Sequence, residues 1–296
     1  MRHACQSEFA RIIFCVVLWG AGSVLSAFAG ERPRSLYDGA SVVFEQAHLI
    51  KPHEGTNSGL ATALAPLVVQ EVGVANRATF ATRVYFQFDI VQLNGQDHAA
   101  LTYWWFYDEA TKPAERRSPT RRGPDARPLK RAGAEAGTPI QGVRITLNTN
   151  GSPVIFEVLG HTGRIEQIFV SQLLEAAALA EFGPALPGRR HSIERSLSDT
   201  PKIVVPRVID DAPAVMGPIL YLRAGTHDVA TLICRCMDSQ AKSLAGQSFY
   251  ELVPAGASSN TCDATRLEAA NPRGLPRDFL LQTNRLSRSL RLPAGF

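Results

Sequence analysis

Two Asn-Gly pairs, each set between stretches of alternating apolar and polar residues, limit the folds open to this chain. Across Arg83–Leu93, Val84, Phe86, Phe88 and Ile90 share one face of an extended segment, with Tyr85, Gln87 and Asp89 on the other. Asn94-Gly95 follows, and then an apolar run over residues 101–107. Successive side chains of a strand point to opposite faces, so this period reads as a half-buried strand. Asn and Gly accept the positive backbone angles that a tight hairpin turn requires. The logic repeats at Val143, Ile145 and Leu147, which alternate with Arg144 and Thr146 before Asn150-Gly151 turns the chain into residues 154–159. Residues 165–170 extend this sheet as a meander.

One helix is clear, near residues 172–182. Ser171 is placed to cap it, Leu173, Leu174, Ala177, Ala178 and Phe182 supply its apolar side, and Gly183-Pro184 stops it. Further strands are expected at 203–208, 218–223, 229–236 and 249–253, with candidates at 41–44 and 67–72. A short helix is expected from Asp238 or Ser239 to Leu244, and none is needed before the first hairpin. Strands outnumber helices and do not alternate with them in a βαβ rhythm. The expected class is therefore α+β, with a mostly antiparallel β-sheet.

The first thirty residues point to a compartment. Arg2, His3 and Arg11 lead into an apolar stretch over residues 12–25, followed by Ala27-Phe28-Ala29. This is the layout of a secretory signal peptide, and the apolar stretch is too short for a spanning helix. The chain then divides into a signal peptide at 1–29, a single β-rich domain at 30–257 and a loosely structured tail at 258–296. The expected location is exported, periplasmic or extracellular, with no transmembrane segment in the mature chain.

A net charge of +4 is too small to argue for a nucleic-acid protein. The charge is uneven, however. Residues 112–131 hold Lys112, Arg116, Arg117, Arg121, Arg122, Arg127, Lys130 and Arg131 against Glu115 and Asp125, punctuated by Pro113, Pro119, Pro124 and Pro128. Proline breaks both helix and ladder, so residues 112–139 read as a basic loop or linker. Its partner, if it has one, is an anionic polymer or an envelope surface.

Candidate sites come from cysteines and aromatics. Past the leader remain Cys234, Cys236 and Cys262, an odd count in a chain expected to meet an oxidising compartment. If Cys234 and Cys236 both lie in a strand they face the same side, and a bridge between them is strained. A bridge from either of them to Cys262 is geometrically easier, with Cys236–Cys262 the candidate disulfide. Alternatively, His227, Cys234 and Cys236 form a thiolate–imidazole set for a soft metal, although the spacing is not that of a zinc finger. Among the aromatics, Tyr103, Trp105 and Tyr107 alternate with Trp104 and Phe106, so one face of this strand is core and the other a ledge for a ligand.

The sequence holds no nucleophile elbow, phosphate loop or His-Glu-x-x-His pattern, and no cofactor is implied. The reading is a non-enzymatic exported module that binds a ligand or partner. The alternatives are a metal- or thiol-dependent protein centred on His227, Cys234 and Cys236, and a structural envelope component.

Overall fold

The computed structural model describes residues 43–53, 59–73, 82–106, 140–160, 165–196, 203–224, 227–255 and 283–296. The leader, the basic stretch at 112–139, Tyr107 and Cys262 lie outside the described residues. Within them the protein is mostly β-sheet, with few helices.

The strands are β1 (Phe44–Pro52), β2 (Leu67–Glu71), β3 (Arg83–Leu93), β4 (Gln96–Phe106), β5 (Ile140–Leu147), β6 (Pro153–Leu159), β7 (Ile165–Ser171), β8 (Val208–Ile209), β9 (Ile219–Leu222), β10 (Val229–Ile233) and β11 (Ala241–Pro254). The helices are α1 (Leu60–Leu64), α2 (Gln172–Phe182) and α3 (Thr283–Ser289). All eleven strands join one sheet in the order β10-β9-β2-β1-β11-β3-β4-β5-β6-β7-β8. The sheet is mixed, with six of its ten neighbour pairs antiparallel. β1–β11, β11–β3, β2–β9 and β7–β8 are parallel, and the other neighbours antiparallel. Parallel partners are brought together by distant parts of the chain, which no local turn signal announces.

The first hairpin forms as its residues dictate. Leu93 pairs with Gln96, and Asn94 and Gly95 take φ of 52° and 77°, the signs of a type I′ turn. The second hairpin turns differently. Asn148 closes its loop: its Oδ1 accepts from the N–H groups of Asn150 and Ser152, and only Gly151 there is left-handed. Helix α2 begins where Ser171 Oγ accepts from Leu174 N at 3.2 Å and ends at Gly183, with φ 74°.

The sheet curls until it nearly closes. One apolar cluster takes residues from every strand, among them Ile50, Val68, Val84, Tyr103, Trp105, Val143, Phe156, Phe169, Ile209, Leu220, Leu232 and Tyr250. This is the interior of a barrel-like sheet, filled by side chains. A second cluster covers the outer face of β3–β7, built from Trp104, Ile155, Ile168 and Val170 with Leu174 and Ala178 of α2 and Leu286, Leu290, Leu292 and Phe296. β5 is therefore buried along its whole length. Arg144 and Thr146, expected on a polar face, alternate with the interior residues Val143, Ile145 and Leu147 and are buried all the same.

Several local expectations fail. Residues 241–244 begin the fourteen-residue β11 rather than ending a helix. Residues 203–207 carry no strand, and α1 precedes the first hairpin. Residues 283–296, assigned to a loose tail, pack into the second cluster. Phe296 stacks on buried His98 at 4.4 Å, and Asn94 donates to the carbonyls of Leu292 and Pro293. A hydrophobic side chain every few residues, in a stretch otherwise polar, is enough to anchor it.

Candidate functional site

The aromatic strand is where the expectation of an exposed ledge gives way. Tyr103, Trp104 and Trp105 are at most 3% exposed. Alternation holds, since Tyr103 and Trp105 enter the barrel and Trp104 the outer cluster. Both faces of β4 are covered at 103–105, so Tyr103 and Trp105 are core, while Tyr107 lies outside the described residues. Tyr103 does other work there. Its hydroxyl donates to Ala61 O of α1 at 2.7 Å.

That bond belongs to a larger arrangement at one mouth of the barrel. Helix α1 is a single turn, too short to be stable alone, and leaves its last carbonyls without helical partners. Strand β11 and the segments beside β9 and β10 supply them. Tyr250 Oη donates to Pro66 O at 2.7 Å, Gly217 N to Ala63 O at 2.9 Å, and Arg235 Nη2 to Ala65 O. Gly217 is required, because a Cβ there would run into the carbonyl of Leu64. The positive guanidinium sits at the C-terminal end of α1, where cations are favoured.

Burial governs the ionisation of this group. It raises the phenols of Tyr103 and Tyr250 well above their ordinary range, opposed by the positive charge of Arg235. Both hydroxyls therefore keep their protons and donate. Burial also pulls Arg235 below its ordinary value, opposed by Tyr250 and Tyr103.

Arg235 is flanked by the cysteines that the sequence singled out. β10 ends at Ile233, and the chain turns at once, with Met237 N donating to Cys234 O at 3.2 Å. Cys234 and Cys236 therefore do not sit in a strand. The turn brings their Cα atoms to 5.2 Å and their sulfurs to disulfide distance, within the Cα range that a bridge spans. Among the described residues the cysteines at disulfide distance are Cys234 and Cys236, while Cys262, of the expected Cys236–Cys262 bridge, lies outside them. Cys234 is 4% exposed, whereas Cys236 is exposed. Cys236 N donates to Cys234 Sγ at 3.2 Å, and Cys236 Sγ lies 3.7 Å from Asp211 O. Asp211 follows β8, so this contact joins the two edge strands of the sheet.

His227 does not join the cysteines. It precedes β10 while they follow it, and a five-residue strand spans about 16 Å, far beyond ligand distances of about 2.0–2.3 Å at one metal ion. Its ring is otherwise engaged. Gln70 Nε2 donates to Nδ1 at 2.9 Å, and Gln141 Nε2 donates to the His227 carbonyl at 2.7 Å. These contacts hold its left-handed backbone, φ 59°. Among the described residues, no group of three or more His, Cys, Asp or Glu side chains is arranged to hold a metal ion.

Three elements escaped the sequence reading. Arg235 was visible only as the middle of a Cys-Arg-Cys tripeptide. Tyr250 carried no signal apart from its strand. The third is an ion pair between Arg144 and Glu157, both side chains fully buried, on facing positions of β5 and β6. Alternation alone places such residues on a wet face.

A different surface is open. β11 pairs with β1 over 241–250 and with β3 only over 251–254. Among the described residues, the other edge of 241–250 has no strand partner, nor has the β11-facing edge of β3 beyond Phe86. Large apolar side chains flank both edges: Phe88 is 52% exposed, Ile90 57%, Leu244 52% and Phe249 47%. Lys51 lies over the Phe249 ring at 5.1 Å. Compared with known proteins, the chain matches no family model, no curated protein and no solved structure.

Proposed function

We propose that this chain is an exported, non-enzymatic module that binds a partner polypeptide by adding an extended strand to its sheet. The observation that carries the reading is the divided edge of β11. Ten residues of backbone, 241–250, are paired on one side only among the described residues, beside exposed Leu244 and Phe249. Natural sheets usually protect such edges with charge, proline or a covering element. Here Lys242 is the sole charge of the segment, and it is drawn to Glu45 of β1. An open edge of low charge suits a neutral or apolar strand, with backbone bonds giving affinity and alternate side chains giving selectivity. The leader layout and the paired cysteines support an oxidising location outside the cytosol.

The test is a photo-crosslinking residue at position 244 in the full chain, expressed in its native cell. A discrete crosslinked band is expected, and Leu244 and Phe249 are on the surface, so Phe249→Lys should abolish the band without lowering thermal stability. No band, or equal capture by the Phe249→Lys chain, counts against strand addition.

A further inference from the structure

The geometry points to Cys234–Cys236 as a thiol–disulfide exchange site, one whose redox state sets how firmly α1 is seated in the mouth of the barrel. Four observations converge on it. The bridge closes a loop over a single intervening residue, so it removes little chain entropy and is a poor global staple. Its two sulfurs are unequal, because Cys236 is exposed and Cys234 buried. Each sulfur has a partner suited to the reduced state. The backbone N–H of Cys236 already points at Cys234 Sγ, where it would steady a thiolate, and Asp211 O is within reach of a Cys236 thiol. Finally, the enclosed residue is Arg235, whose guanidinium donates to Ala65 O at the end of α1.

The co-reactant is a dithiol, either a small molecule or a reducing protein. One of its thiolates attacks Cys236 Sγ, the accessible sulfur. The Cys234–Cys236 bond breaks, its electron pair passes to Cys234 Sγ, and a mixed disulfide remains on Cys236. The second thiolate of the reductant then attacks its own mixed-disulfide sulfur and displaces Cys236 Sγ. The reductant departs oxidised, and two electrons and two protons have moved to the cysteine pair. The turn at 234–237 is then free to relax. Arg235 loses its tether, and the one-turn helix it caps loses a charged hydrogen bond that nothing within the helix replaces.

The experiment treats the folded full chain with increasing dithiothreitol, traps thiols by alkylation, and follows peptide-resolved alkylation and amide exchange together. Cys234 and Cys236 should become labelled without denaturant, Cys234 first, while Cys236 is still held in the mixed disulfide. Exchange over residues 59–66 should then quicken about tenfold, as expected for one lost charged bond, while β5 and β6 stay protected. An Arg235→Gln chain should show the faster exchange before any reductant is added, and no further change on reduction. The inference is overturned if the pair resists reduction until the chain unfolds, if reduction leaves 59–66 unchanged, or if peptide mapping finds Cys236 bridged to Cys262.

Discussion

Strands β3 to β7 and the group formed by β1, β2, β9, β10 and β11 use the same backbone bonds to opposite ends. In the meander each strand pairs with its sequence neighbour, and the middle strands are covered on both faces. In the second group two of the four pairs are parallel and join distant stretches of chain, and the group carries the exposed edge, the seated helix and the cysteine bridge. The difference separates a part that supplies stability from a part able to respond. Two covered faces leave no room for rearrangement, whereas a short helix held by four hydrogen bonds can be released one contact at a time.

The comparison breaks first, if it breaks, at the Arg144–Glu157 pair. Glu157→Ala leaves a buried guanidinium facing a hole and should cost about 3–5 kcal/mol, measured by urea denaturation. Arg144→Met combined with Glu157→Leu should restore most of it, since apolar pairs replace buried ion pairs well. A cost below about 1 kcal/mol for Glu157→Ala would mean that water reaches the pair and the meander is not doubly covered.

Gly217→Ala sharpens the contrast. Its Cβ meets the Leu64 carbonyl, so α1 must shift, at about 1–3 kcal/mol. Amide exchange should quicken over 59–66 and remain slow in β5. Gly142→Ala, whose Cβ meets Tyr103 O instead, should loosen β4 and β5. Equal loosening of both regions by either variant would mean that the two parts unfold as one.

The smallest effect comes from the cover of the meander. Burial lowers the His191 imidazole below its ordinary value, against the attraction of Glu194 and Glu175. The folded state thus prefers the neutral ring. Its contribution to stability is complete above the ordinary value of 6.5 and declines as pH falls through the lowered folded value. His191→Asn should flatten that part of the pH–stability curve. An unchanged curve would assign the slope to other groups.

The elements legible in the sequence were those written in adjacent residues. Asn94-Gly95 located its hairpin because both residues must take positive φ, and Ser171 and Gly183 bounded α2 because they cap its ends. The first part of β11, residues 241–248, was hidden, since Ser243, Gly246 and Ser248 dilute its apolar signal and its partners lie far off in sequence. Burial of β5 was hidden for a related reason. Arg144 alternates like a surface residue, and only pairing with Glu157 allows its burial. At the candidate site, sequence singled out both cysteines but not their bond, because the turn after Ile233 decides it. Tyr103 was noticed for its ring and matters for its hydroxyl.

β11 also sets a clock. It is the seam between the two groups, and β1 cannot meet it until residues 241–250 exist. A ribosome adding about 5–20 residues per second reaches that point roughly 10–40 s after finishing β1. For that interval the early strands wait while the meander, complete by residue 171, is already able to form. The barrel is therefore closed by the last third of its own synthesis, and a chain truncated before β11 should leave β1 and β2 as adhesive ends on a finished meander.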